Sequence, residues 1–143
     1  MERLYPIGIQ NFEDLRRNGY IYVDKTALIH RLVRTGKYYF LGRPRRFGKS
    51  LMISTLEAYF QGKRELFKGL DIEKLEKEWT VRPVLHLDLN SRNYNGIESL
   101  KAILNQHLEK WEKMYGCEKQ NRAPEERFAY IIEHAAKQTG QNV

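Results

Sequence analysis

Residues 38–50 read Tyr-Tyr-Phe-Leu-Gly-Arg-Pro-Arg-Arg-Phe-Gly-Lys-Ser, and this stretch decides the fold that the sequence predicts. The first four residues form a short apolar run, which is typical of a buried parallel strand. A basic turn follows, and Gly48-Lys49-Ser50 then begins a segment with the apolar spacing of a helix. A strand, a turn and a helix in this order are typical of a phosphate-binding loop.

Each residue of the loop has a chemical role in this interpretation. Gly48 supplies backbone freedom, Lys49 is the cation for the outer phosphates of a nucleotide, and the Ser50 hydroxyl is a ligand for Mg²⁺. Arg45 and Arg46 either assist phosphate binding or are solvated side chains unrelated to a ligand. The predicted cofactors are therefore ATP and Mg²⁺. A purely structural turn is the alternative interpretation.

The loop departs from the standard pattern at one position. That pattern has a glycine five places before Gly48, where this chain has Arg43, and Gly42 lies one residue earlier. The segment therefore matches the phosphate-binding loop pattern well except at this one position.

Composition narrows the class of protein. The chain has 143 residues, of which 41% are hydrophobic, so it is long enough to bury one core. Its formal charge of +7 favours an anionic partner: a nucleotide, a nucleic acid or an acidic protein. No secretory signal and no apolar run of membrane-spanning length is visible, which predicts a cytoplasmic protein without a membrane partner. The single cysteine, Cys117, excludes an internal disulfide.

Periodicity predicts an α/β fold with parallel strands and flanking helices. Strands are expected at residues 20–23, 38–41 and 84–89, and helices at 12–17, 25–34, 50–60, 97–115 and 124–138. One or two short helices, broken near Gly69, are expected within residues 65–79. Residues 1–143 are expected to form one domain, a partial P-loop NTPase core. Because so few strands accompany so many helices, the fold looks cut short. An open sheet edge of this kind also suggests self-association.

The remaining candidate residues give weaker indications of a catalytic or metal-binding role. Asp88 is the one carboxylate on a predicted strand, and a polar role at a strand end or turn is favoured over catalysis. The four histidines have no metal-binding spacing, and Cys117 has no histidine nearby in the sequence.

Three segments together resemble a known bacterial family. Residues 5–8 (Tyr-Pro-Ile-Gly), 22–26 (Tyr-Val-Asp-Lys-Thr) and 40–51 are similar to the N-terminal part of the predicted AAA-ATPase-like family. The loop of that family reads Arg-Pro-Arg-Arg-Phe-Gly-Lys-Ser, so Arg43 is the family's norm. Asp24 and Thr26 are interpreted first as helix-start residues, with nucleotide contact as the lesser alternative.

The resemblance implies a P-loop ATPase core that binds nucleotide through residues 42–51. The nucleotide-binding residues are then Gly42, Arg45, Arg46, Gly48, Lys49, Ser50 and Leu51. In such relatives a strand ending in adjacent acids follows, and residues 1–143 contain no such motif. The resemblance therefore implies a P-loop core truncated before the acidic (Walker B) strand. The resemblance therefore implies an ATPase family, whereas the sequence itself does not predict hydrolysis.

One alternative function uses the same cations. In a basic nucleic-acid-binding domain, Arg43, Arg45, Arg46 and Lys49 would contact backbone phosphates. A third outcome is a folded remnant that binds nothing well.

Overall fold

A computed structural model describes residues 4–90, 96–117 and 121–143, and in this part of the chain every regular element is a helix. The α-helices are α1 (Phe12–Arg17), α2 (Thr26–Thr35), α3 (Lys49–Phe60), α4 (Asp71–Leu75), α5 (Ile97–Met114) and α6 (Pro124–Thr139), with a 3₁₀ helix at Arg64–Phe67. The chain divides into two compact units, Met1–Val81 and Arg82–Val143. The assignment of residues 1–143 to one domain stays a prediction.

The predicted α/β class is wrong, because none of the described residues lies in a β-strand. The three segments expected as strands bind to other parts of the chain instead of to one another. The Ile21 N–H donates to the carbonyl oxygen of Leu4 (3.0 Å), the Tyr39 hydroxyl donates to that of Leu32 (2.5 Å), and the carbonyl oxygen of Asp88 lies 3.0 Å from the His107 ring. β-Propensity reflects packing against neighbouring strands, so apolar runs without such partners do not form a sheet. The partial P-loop core with parallel strands is therefore not the architecture observed, and self-association stays a prediction.

Local capping signals explain where several helices begin and end. The Asn11 side chain accepts a hydrogen bond from the Asp14 N–H at the start of α1 (3.2 Å), as its residue type predicts. Pro124 lies in the first turn of α6, and Gly140 ends that helix with a left-handed backbone conformation. These ends are determined by neighbouring residues, so the sequence predicts them well.

Asp24 connects the starts of two helices in the first unit. One carboxylate oxygen accepts the N–H and the hydroxyl of Thr26 (2.8 and 2.6 Å), and the other accepts the Asp71 N–H at the start of α4 (2.7 Å). The Thr26 hydroxyl oxygen in turn accepts the Ile72 N–H (3.1 Å). The geometry therefore gives Asp24 and Thr26 the helix-start role that was placed first for them.

Each unit has its own apolar core. The core of the first unit consists of Phe12, Ile29, Ala58, Leu66, Phe67, Leu70 and Ile72. The core of the second consists of Leu108, Trp111, Tyr115, Ile131 and Ala135. In the first unit, Phe12 stacks against Phe67 with their ring centroids 4.9 Å apart, and the Phe12 N–H donates to the Ser54 hydroxyl oxygen (3.0 Å). These contacts hold the chain before α1 close to α3.

Candidate functional site

The start of α3 is electrostatically suited to an anion. Gly48 precedes the helix with φ 78° and ψ 20°, a left-handed conformation that favours glycine. No side chain caps the helix, and its first turn contains no acidic residue. The N–H groups of a first helical turn have no partner within the helix, and the helix dipole adds partial positive charge there. The first turn of α3 therefore presents hydrogen-bond donors without a carboxylate to compete for them.

A cleft of about 540 Å³ opens at this helix start. It is lined by Gly8, Ile9, Gln10, Arg46, Gly48, Lys49, Ser50 and Leu51. Its volume falls within the range of roughly 300–1,000 Å³ that is usual for small-molecule sites. Among the described residues, no Asp or Glu lines it, so the lining is cationic and neutral.

The cleft brings together most of the loop residues that the sequence singled out. Five of the seven predicted nucleotide-binding residues line it, whereas Gly42 and Arg45 are exposed residues outside the lining. Sequence reasoning missed Gly8, Ile9 and Gln10 as part of the site. Residues 5–8 were noticed only for their resemblance to a family, and no spacing rule connects them with a loop almost forty residues later.

Lys49 already has a partner within the loop. Its Nζ donates a hydrogen bond to the carbonyl oxygen of Arg43 (2.8 Å), and Arg43 Nη1 lies 3.4 Å from the carbonyl oxygen of Phe47. These two contacts cross the loop and hold its ends together. The lysine ammonium is thus kept beside the start of α3.

Arg46 has a strained backbone at the edge of the cleft. Among the described residues it is the one non-glycine with a positive φ, which is 64°. A left-handed conformation is unfavourable by roughly 1–2 kcal/mol for a residue with a Cβ. Strain of this kind is concentrated at functional sites, where the surrounding structure maintains it.

The formal charge of the segment around the loop is strongly positive. Residues 25–56 contain eight Lys and Arg and no Asp or Glu, so their formal charge of +8 exceeds the +7 of the whole chain. The remaining residues are together nearly neutral. The attraction for anions is therefore concentrated in the segment that contains the loop.

Asp88 has a local structural partner. Its Oδ1 accepts the Asn90 N–H (2.9 Å), a hydrogen bond that is typical of a turn. This contact agrees with the turn role favoured over catalysis.

The metal and thiol candidates remain weak. The described residues contain no group of three His, Cys, Asp or Glu side chains that could hold a metal ion. Burial, together with the negative charge of Glu112, raises the pKa of the Cys117 thiol, which disfavours the thiolate.

Comparison with known proteins places the chain in a family. The family described as "Predicted AAA-ATPase" matches residues 6–143, so this chain belongs to the predicted AAA-ATPase family. A protein of Azotobacter chroococcum mcd 1, described only as an uncharacterized protein in the vnfD 5' region, is 36% identical over 140 residues. That match covers 96% of this chain but 27% of the relative's length.

No solved structure matches the chain. None of the described helices combines the length and apolar character that crossing a bilayer requires.

Proposed function

We propose that this chain binds ATP together with Mg²⁺ in the cleft at the start of α3. The observation that carries the proposal is the uncapped first turn of α3, which opens into a cleft lined by Arg46, Lys49 and Ser50. Membership of a predicted AAA-ATPase family supports a nucleotide as the anion. The lining also lacks any described carboxylate that would repel phosphate.

In this proposal, different hydrogen-bond donors of the loop bind different phosphates of ATP. The N–H groups of the first turn of α3 bind phosphate oxygens, and Lys49 neutralises the outer phosphates after leaving the carbonyl oxygen of Arg43. Arg46 adds a second cation at the edge of the cleft, where its guanidinium suits phosphate oxygens. The Ser50 hydroxyl would hold Mg²⁺, which would supply positive charge for the outer phosphates.

Another part of the cleft lining suits the less polar part of a nucleotide. Ile9 is half-buried there, and Gly8 has no side chain to obstruct access. Apolar walls with a few polar groups are usual for small-molecule sites. Residues 8–10 therefore supply the part of the cleft that the phosphate loop lacks.

Thermal unfolding tests the proposal. ATP with Mg²⁺ is expected to raise the Tm of the chain, because a ligand that binds only the folded state stabilises it. Lys49→Met is expected to abolish the shift, and Ser50→Ala to remove the part that depends on Mg²⁺. Lys74→Met, at an exposed cation of α4 outside the cleft, is the matched control and should keep the full shift. An equal shift in Lys49→Met and the unmodified chain would contradict the proposal.

A further inference from the structure

Aromatic side chains next to the loop are exposed to solvent to an unusual degree. Tyr38 is 94% exposed, Phe40 is 96% exposed and Phe47 is 62% exposed. Large apolar rings in such positions often mark a surface that binds a partner.

The side chain of Tyr39 is hydrogen-bonded to the end of α2. The Tyr39 hydroxyl donates to the carbonyl oxygen of Leu32 (2.5 Å) and lies 3.1 Å from the Thr35 hydroxyl. A Cβ at Gly36 would lie only 2.6 Å from the same hydroxyl, so the glycine permits this close approach. Tyr39 thus anchors the segment, while the rings on either side of it project into solvent.

Basic residues lie among these rings along the chain. Lys37, Arg43 and Arg45 are exposed, and no described carboxylate forms an ion pair with any of them. Lys37, Tyr38, Phe40, Arg43, Arg45 and Phe47 are called the aromatic–basic surface below. None of the six lines the cleft at the start of α3.

We propose that the aromatic–basic surface binds single-stranded nucleic acid. Exposed rings stack on the faces of unpaired bases, while the neighbouring cations contact backbone phosphates. A duplex does not suit this surface, because its base faces are covered by stacking within the helix. The absence of acids from residues 25–56 makes the surface complementary to a polyanion over its whole extent.

Fluorescence anisotropy with a labelled oligothymidylate tests the proposal. The oligothymidylate is expected to bind more tightly than a duplex of equal length. The logarithm of the binding constant should fall with the logarithm of the salt concentration, by about 0.7 for each phosphate contact. Lys37→Gln and Arg45→Gln are each expected to lower that slope by about 0.7. Neither side chain has a described partner, so these changes should leave the fold intact.

The second part of the experiment removes the aromatic rings by substitution. Tyr38→Ala and Phe40→Ala are each expected to weaken binding by about 5-fold or more, with an unchanged salt slope. Tyr5→Ala removes a ring that is 75% exposed outside the aromatic–basic surface, and should have no effect. Lys110→Gln is the matched charge control on α5.

Three outcomes would overturn the proposal. One is oligothymidylate binding that Tyr38→Ala and Phe40→Ala leave unchanged, which would indicate nonspecific charge attraction. Another is binding that Lys49→Met or excess ATP with Mg²⁺ abolishes, which would place the oligonucleotide in the cleft. The third is binding to vesicles of anionic phospholipid without binding to oligothymidylate. Because the ATP experiment uses different residues, failure of either proposal leaves the other testable.

Discussion

The Nζ of Lys49 donates a 2.8 Å hydrogen bond to the backbone carbonyl oxygen of Arg43, which lies on the other side of the loop. One side chain therefore has two roles: it closes the loop, and it is the cation that we assign to the outer phosphates of ATP. A phosphate must attract the ammonium away from this carbonyl. Since a hydrogen bond to phosphate is charge-assisted on both sides, the exchange favours the ligand.

The first prediction separates these two roles of Lys49. Without nucleotide, Lys49→Met is expected to lower the free energy of unfolding by no more than about 1.5 kcal/mol, because it removes one hydrogen bond of an exposed side chain. Urea denaturation measures this change. A much larger loss would mean that Lys49 maintains the loop itself, and the missing ATP shift would then have a structural cause.

The second prediction concerns the strained backbone of Arg46. Arg46→Gly is expected to leave the Tm unchanged or slightly raised, because relief of the left-handed strain offsets the greater chain entropy of glycine in the unfolded state. The same change should reduce the Tm shift produced by ATP, since a cation of the cleft is lost. Arg45→Gly is the matched control: its φ is not positive, so it should lower the Tm and largely keep the ATP shift. A large drop in Tm for Arg46→Gly would contradict the strain argument.

The third prediction concerns ATP turnover. Phosphate release by residues 1–143 is expected not to exceed that of the Lys49→Met variant, because no described carboxylate lines the cleft to activate water. A steady rate above this control would contradict the prediction. Asp88→Asn would then show whether Asp88 supplies the missing carboxylate.

The fourth prediction is that the stability of the folded chain depends on pH through the carboxyl group of Glu76. Burial raises the pKa of this carboxyl, but the hydrogen bond from the Tyr59 hydroxyl (2.5 Å), the Glu78 N–H and the nearby charge of Arg34 outweigh it. The folded pKa therefore lies below the ordinary value of 4.5. A lowered folded pKa contributes stability that is complete above the unfolded pKa and is lost as the pH falls through the folded one.

Glu76→Gln measures that contribution. Above about pH 5 the variant is expected to be less stable than the unmodified chain by roughly 1–3 kcal/mol, and the difference should shrink as the pH falls below 4.5. Urea midpoints at a series of pH values check this. Glu133→Gln, which breaks an exposed pair with Lys137, should leave the midpoint nearly unchanged at every pH. A difference for Glu76→Gln that stays constant with pH would contradict the assignment.

The fifth prediction concerns the second unit. Arg127 forms two 2.8 Å hydrogen bonds to the Glu112 carboxylate, and both side chains are less than 10% exposed. Arg127→Met should lower the free energy of unfolding by about 3–5 kcal/mol, because it leaves a buried carboxylate without its partner.

Two further variants test whether the unpaired, buried carboxylate of Glu112 causes that loss of stability. The double variant Arg127→Met with Glu112→Leu should recover most of the stability, because no charge is then buried. Lys137→Met breaks a pair that is mostly exposed and should leave the stability nearly unchanged. Equal effects of Arg127→Met and Lys137→Met in urea denaturation would contradict the importance of burial.

Features that depend on neighbouring residues could be predicted from the sequence. Asn11, Pro124 and Gly140 marked helix ends correctly, because capping involves residues within a turn of one another. Residues 40–51 likewise indicated the family, since the match lies in consecutive residue types. Gly48-Lys49-Ser50 was expected to open a helix over residues 50–60 after a basic turn, and α3 begins one residue earlier, at Lys49.

Features that depend on partners distant in the sequence could not be predicted in this way and are visible in the folded chain. The apolar run at residues 38–41 predicted a strand, but a strand requires a neighbouring strand, and Tyr39 is bound to the end of α2 instead. Residues 8–10 reached the cleft because Phe12 is buried against Phe67 and bound to Ser54, a placement that no local pattern encodes. The pairs Glu76–Tyr59 and Arg127–Glu112 join residues 17 and 15 positions apart. No local pattern in the sequence predicts these contacts, because packing of the helices is the physical reason that the side chains of both pairs are brought together.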